Sequence, residues 1–216
     1  MNSDKIILDL CGGTGAWSKP YRDAGYEVHL LTLPEYNVVE IGYSEKDLYI
    51  CPKSSHYFTI PFRAIYGILA APPCTEFSLA KGSLPRDFKA AMQVVRACME
   101  VIWHCRTFGK IKFWAMENPR GFLRQFMGKP AFVFEQWQYG TNTVKATDIW
   151  GYFNTPNPTV KTRPDNITTC IRHRSNGRDW TKPVIPNEYK QLDLDRAAAR
   201  AITPAGFAQA FFKANK

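Results

Sequence analysis

The stretch that decides the fold is Lys5-Ile-Ile-Leu-Asp-Leu-Cys-Gly-Gly-Thr-Gly15. Residues 5–10 have the apolar density of a short buried strand. The glycines at 12, 13 and 15 end it. Trp17 to Ala24 suits a helix broken by Gly25, and residues 26–33 (Tyr-Glu-Val-His-Leu-Leu-Thr-Leu) suit a second strand. Strand, glycine turn, helix, strand opens an α/β fold and predicts a doubly wound, mostly parallel sheet.

Outward from that opening, residues 47–51 and 56–60 read as a hairpin joined by the turn Pro52-Lys-Ser-Ser55, inserted into the α/β pattern. Ile65 to Ala70 is an apolar run of strand length that stops at Pro72-Pro73. Residues 86–108 place Phe88, Met92, Val95, Met99, Ile102 and Cys105 at helical spacing, and Pro85 suits a first turn. Lys112 to Met116 reads as a strand ending at Glu117-Asn118-Pro119. From Thr155 to about Lys190, prolines at 156, 158, 164, 183 and 186 alternate with polar residues and with Arg163, Arg172, Arg174 and Arg178, a loop-rich composition. Thr203-Pro204 reads as the cap of a last helix with Phe207 and Phe211 on one face. The expected organisation is a main body over 1–154, a small loop-rich region over 155–198 and a C-terminal helix over 199–216 that returns to the body.

The chain has 216 residues, 45% of them hydrophobic, enough for one substantial core. No apolar run reaches membrane-spanning length, and the N-terminus lacks the basic region and the cleavage site of a signal peptide, so a cytoplasmic protein is expected. The formal charge of +9 fits a polyanionic partner, although it is spread along the chain without a basic block. The six cysteines (11, 51, 74, 98, 105 and 170) form no Cys-x-x-Cys pair, so no metal site is expected.

Three motifs carry chemistry. Asp9-Leu-Cys-Gly-Gly-Thr-Gly15 is a turn whose backbone a nucleotide-like ligand can approach; a plain strand-to-helix turn has the same pattern. Ala71-Pro-Pro-Cys74-Thr-Glu-Phe-Ser78 places a cysteine just beyond a buried strand, where ligands of open α/β sheets sit, and the prolines restrict the backbone before it. Trp114-Ala-Met-Glu117-Asn-Pro119 puts a carboxyl at a strand end, where burial favours its neutral form and lets it act as a general acid. Singly, a core cysteine and a strand-end carboxylate remain the structural alternatives.

Taken together and in this order, the three motifs resemble the cytosine-C5 DNA methyltransferases, closest to short bacterial and phage members. Gln138-Tyr-Gly-Thr-Asn-Thr-Val-Lys-Ala-Thr147 resembles that family's Gln-Tyr-Gly…Arg-x-Arg strand, and the likeness covers roughly residues 5–153 with a weaker stretch at 201–214. The resemblance implies a Rossmann-like fold that binds S-adenosyl-L-methionine and acts on duplex DNA with a flipped cytosine, as a monomer in the cytoplasm of a bacterial or phage-infected cell. It implies Cys74 as the nucleophile toward C6, Glu117 as the acid at N3, Pro73 shaping the turn, Asn118 bracing it and Thr147 at the active-site strand. For the cofactor it implies Asp9, Cys11, Gly12, Gly13, Thr14, Gly15, Trp17 and Pro72, with Glu35 at the ribose and Asn37 at the adenine. For DNA it points to Thr75, Ser78, Lys81 and Lys145, with Arg163, Arg172, Arg174 and Arg178 in the recognition region.

Several positions depart from the family's pattern. Cys11 stands where an adenine-stacking Phe is usual, and Thr75 replaces a Gln. Lys145-Ala-Thr147 replaces Arg-x-Arg, removing the guanidinium expected near the cytosine carbonyl. Two other readings keep the same motifs: the same chemistry on RNA or a nucleotide, and a catalytically silent basic nucleic-acid-binding module.

Overall fold

The opening motif forms β1 (Ile6–Leu10), buried at all five positions, then α1 (Lys19–Asp23) and β2 (Glu27–Leu31). The computed structural model describes residues 2–165, 167–169 and 185–216. In chain order there follow β3 (Gly42–Tyr43), β4 (Asp47–Ile50), β5 (Phe58–Pro61), β6 (Ile65–Ala70), α2 (Phe88–Phe108), β7 (Phe113–Pro119), α3 (Leu123–Met127) and β8 (Phe132–Glu135). The described chain closes with β9 (Thr143–Val144), β10 (Ala146–Tyr152), β11 (Thr168–Thr169), α4 (Arg196–Ala201) and α5 (Ala205–Asn215).

The fold is α/β, built on a mixed six-stranded sheet of order β2-β1-β6-β7-β10-β8. The first four strands run parallel, while β10 pairs antiparallel with both β7 and β8. Strand side chains alternate between the two faces. Leu8, Leu10, Ile68, Ala70 and Met116 join Val95, Cys98, Val101, Ile102 and Cys105 of α2 in one core. Ile7, Leu69, Phe113, Ala115 and Ile149 join Trp17, Tyr21, Phe207 and Phe211 in the other, so α1 and α5 cover the second face. Burying each Val, Leu, Ile, Met or Phe among them contributes about 1.5–3 kcal/mol.

The hairpin expected over 47–60 is a three-stranded sheet of order β3-β4-β5. It is not a detached flap. Leu48, Ile50 and Ile60 are buried in the α2-side core, and the Tyr43 ring stacks on His104 of α2 at 3.9 Å between centroids.

Several boundaries differ from expectation for local physical reasons. Helix α1 begins at Lys19, after Trp17. Helix α2 begins at Phe88 because the Asp87 side chain accepts from the Ala90 amide at 2.9 Å, which leaves Pro85 outside the helix. Strand β7 does not stop at Met116: β10 pairs Ile149 with Glu117, Asp148 with Asn118 and Thr147 with Pro119. Residues Gln138 to Gly140 are not strand. Gln136–Tyr139 is a 3-10 turn, held by the Gln138 side chain accepting from the Glu135 amide at 2.7 Å and ended by Gly140 at φ 85°. Thr203 does not cap α5, whose N-cap is Pro204 without a side-chain bond. Residues 196–215 form two helices in place of one.

Candidate active site

Strands β1, β6 and β7 are parallel neighbours, so their C-terminal ends share one edge of the sheet. The glycine turn, the Cys74 turn and Glu117 therefore converge from three separate stretches of chain.

After β1, the Cys11 amide bonds the Leu31 carbonyl at 2.8 Å and the chain turns with Cys11 at φ 56° and Gly13 at φ 57°. A side chain is impossible at Gly12, where a Cβ would lie 2.2 Å from Asp9 Oδ1. At Gly13 a Cβ would meet nothing within 4 Å, so the exposed side of the turn is open backbone. Asp9 is fully buried beneath it. The Ser18 hydroxyl lies 2.5 Å from Asp9 Oδ2 and 3.2 Å from the Gly15 carbonyl, while Asp9 Oδ1 has no hydrogen-bond partner. Burial raises the Asp9 pKa to about 6. Asp9 thus shapes the turn from inside. Trp17 is likewise a core residue, packed on Phe207 and Phe211, because its indole fills the α5 side. Thr14 and Cys11 are half-buried, and Cys11 packs on Cys98 of α2.

The other expected cofactor residues lie after β2. Glu35 Oε1 accepts from both the amide and the hydroxyl of Ser54, and so ties the inserted sheet to this edge. Asn37 caps a 3-10 turn, accepting from the Val39 amide at 3.2 Å and donating to Glu40 at 2.6 Å. An open glycine turn fits a nucleotide-like cofactor. Glu35 and Asn37 already hold protein partners, which restrains both side chains.

Beyond β6, the Ala71 amide bonds the Leu10 carbonyl at 2.9 Å, joining the two turns. Pro72 is buried and Pro73 exposed. The Cys74 carbonyl accepts from the amides of Phe77 and Ser78 at 3.0 and 2.8 Å, and the fully buried Phe77 ring anchors the turn. Asn118 is fully buried and donates to the Pro72 carbonyl at 2.9 Å, fixing β7 to this turn. Thr75 is exposed. Lys81 pairs with Glu76 at 2.5 Å, and Glu76 also accepts from the Asp87 amide at 2.8 Å, so Lys81 closes its own loop. The Lys81 hydrogen bond holds the Glu76 carboxyl below the usual carboxylate range. The Ser78 hydroxyl accepts from the Ala80 amide at 3.2 Å.

Cys74 is half-buried, and burial pushes its thiol pKa up. Lys145 opposes that shift, Glu117 adds to it, and Arg200 opposes it more weakly. Burial also raises the Glu117 carboxyl, with Lys145 opposing and Asp148 adding. Glu117 lines a small pocket with Lys145, Thr147, Phe134, Ile202 and Pro204. Lys145 Nζ donates to the Arg200 carbonyl at 3.2 Å. Thr147 is buried, with its hydroxyl donating to the Lys145 carbonyl at 3.3 Å. Asp148 is fully buried and held by Arg124 through bonds of 2.6 and 2.5 Å.

The structure brings together Cys74, Glu117, Asn118, Lys145 and Thr147. Arg163 is exposed, and Arg172, Arg174 and Arg178 lie outside the described residues. Sequence reading missed Arg200, Gln136 and the turn at 201–204. No local signal marks them, since Arg200 sits in the alanine-rich run Arg196–Ala201. Among the described residues, no cluster of His, Cys, Asp and Glu is arranged to hold a metal ion, and no helix is long and apolar enough to cross a membrane. No model of a known protein family matches the chain, and no curated protein matches it.

Proposed function

We propose that this protein transfers a methyl group from S-adenosyl-L-methionine to C5 of cytosine in DNA, through a covalent bond between Cys74 and C6. The observation that carries the reading is the convergence at one sheet edge of a half-buried thiol, a carboxyl whose pKa is raised by burial and an open glycine turn. The parallel β2-β1-β6-β7 unit with helices on both faces suits a doubly wound, Rossmann-like methyltransferase fold. The turn at 11–15, with Pro72, Glu35 and Asn37, would hold the cofactor, which supplies the electrophilic methyl when bound and leaves as S-adenosyl-L-homocysteine.

Cytosine C5 is too weak a nucleophile to take a methyl group unaided. The Cys74 thiolate forms a bond to C6, and the electrons of the C5–C6 double bond pass into the ring as Glu117 gives a proton to N3. A carboxyl whose pKa is raised by burial suits that donation. The electron-rich C5 then takes the methyl group. Loss of the C5 proton to a base re-forms the double bond as the C6–S bond breaks, which returns the Cys74 thiolate, and N3 gives its proton back to Glu117. Asn118 keeps the nucleophile turn fixed against β7 throughout.

Incorporation of labelled methyl groups into duplex DNA, transfer RNA and free cytidine nucleotides tests the reading. Transfer to DNA alone is expected, absent in Cys74→Ala. Transfer to RNA or nucleotide alone would overturn the choice of substrate. DNA binding without any transfer would favour a silent nucleic-acid-binding module.

A further inference from the structure

The sheet β3-β4-β5 interrupts the α/β alternation between β2 and β6 and takes no part in the chemistry proposed above. Its β4–β5 turn nevertheless reaches the glycine turn through a run of hydrogen bonds. The Gly13 amide donates to the Thr32 hydroxyl at 3.4 Å. The Tyr36 amide donates to the Thr32 carbonyl at 2.9 Å, which folds residues 32–36 into one turn beside the glycines. Glu35 lies in that turn, about 20 residues beyond the glycines, the separation at which a carboxylate takes the ribose of a nucleotide cofactor in open α/β sheets. The Glu35 carbonyl accepts from the Lys53 amide at 3.0 Å. Its Oε1 accepts from the Ser54 amide at 3.1 Å and from the Ser54 hydroxyl. Both side-chain bonds fall on Oε1, which leaves Oε2 to accept from a ligand. The β4–β5 turn also has a firm support. Leu48, Ile50 and Ile60 are buried, and the Phe58 ring stacks on His29 of β2 at 5.7 Å and meets Tyr36 edge-on at 6.4 Å.

We propose that Ser54 is a positioning residue for the cofactor: from the inserted sheet it holds the Glu35 carboxylate in the orientation that accepts from the ribose hydroxyls of an adenosyl ligand. A glutamate free in solvent loses rotamer entropy when a ligand fixes it. Ser54 removes most of that cost in advance, because two donors already hold one carboxylate oxygen. Hydrogen bonds to a charged acceptor are the stronger kind, so the arrangement also favours the ionised carboxylate that a ribose hydroxyl donates to. The sheet β3-β4-β5 is then a part of the cofactor site carried on a rigid element. The proposal rests on the cofactor part of the methyl-transfer reading and can be measured by binding, without any methyl acceptor.

The experiment is calorimetric binding of S-adenosyl-L-homocysteine to the full chain in wild type, Ser54→Ala, Glu35→Ala and the double variant. Ser54→Ala keeps the backbone amide and loses the hydroxyl, so affinity falls about three- to tenfold. In Glu35→Ala it falls further. Adding Ser54→Ala to Glu35→Ala changes nothing more, because the group that Ser54 positions is gone. Ser54→Thr keeps a hydroxyl and binds close to wild type. A loss of the same size in both backgrounds would make Ser54 a support of the fold alone and overturn the proposal. Ser54→Ala binding as tightly as wild type would overturn it too. Wild-type protein that binds no S-adenosyl-L-homocysteine would overturn this proposal and the methyl-transfer reading together. Normal binding with no methyl transfer to any substrate would overturn the methyl-transfer reading alone and leave the four affinities as they are, so the two failures are distinguishable.

Discussion

Asp9 is a carboxyl with no exposure to water, one strong partner in Ser18 and a second oxygen with none. Its folded pKa of about 6 stands above the ordinary 3.8, so the native state binds the proton more tightly than the unfolded chain. The resulting stability is fully present below about pH 4 and is lost as pH rises through 6. The loss is about 3 kcal/mol for a shift of about two units. Relative to Asp9→Asn, the wild-type protein should therefore lose about that much stability between pH 4 and pH 7 in urea unfolding. A difference that stays flat with pH would contradict the burial argument. Glu117 allows a test of opposite sign at the nucleophile. Glu117→Gln removes the proton donor and should lower kcat/KM about 10²- to 10⁴-fold. Where Glu117 is ionised its charge raises the Cys74 thiol, so in Glu117→Gln the pH midpoint for iodoacetamide alkylation of Cys74 should move lower. The Asp9 position was legible in the sequence as part of the glycine motif, but its full burial was not. Whether a carboxyl faces ligand or core depends on the Ser18 contact and on the bare Gly12 above it.

At the scale of elements, β1 and β6 were readable because both faces of each are covered, which leaves a mostly apolar run in the sequence, interrupted in β1 by Asp9. The true end of β7 was not, because it is set by pairing with β10, about thirty residues later in the chain. The turn at 136–139 is set locally instead, by hydrogen bonds of the Glu135 and Gln138 side chains within four residues. Helix α5 is fastened at its far end by Asn215. Asn215 Oδ1 accepts from the Asn154 amide at 2.7 Å, and its Nδ2 donates to the carbonyls of Asn154 and Phe211 at 3.0 Å each. Asn215 is almost fully buried, so Asn215→Ala leaves backbone groups unpaired and should cost about 2–3 kcal/mol in unfolding free energy. A change below about 0.5 kcal/mol would show that the apolar face of α5 alone holds it.

At the scale of the whole molecule, the charge of +9 and the basic pI of about 9.3 suit a polyanionic partner. Affinity for duplex DNA should fall about tenfold between roughly 50 and 200 mM salt for every two phosphates neutralised. A salt-independent affinity would contradict an electrostatic interface. The sequence placed three chemical motifs in order, and the parallel sheet explains why order sufficed: consecutive strand ends fall on one edge. The contact of Lys145 with the Arg200 carbonyl escaped sequence reading because it joins groups 55 residues apart, which no spacing in the chain encodes. The central claim is that Cys74 attacks a cytosine ring. The direct measurement is covalent trapping on duplex DNA containing 5-fluorocytosine, where the fluorine blocks the final elimination. The account predicts a denaturation-resistant complex that needs S-adenosyl-L-methionine, maps to Cys74 and is absent in Cys74→Ser. A complex that still forms in Cys74→Ser, or none at all with wild-type protein that binds both DNA and cofactor, would contradict it.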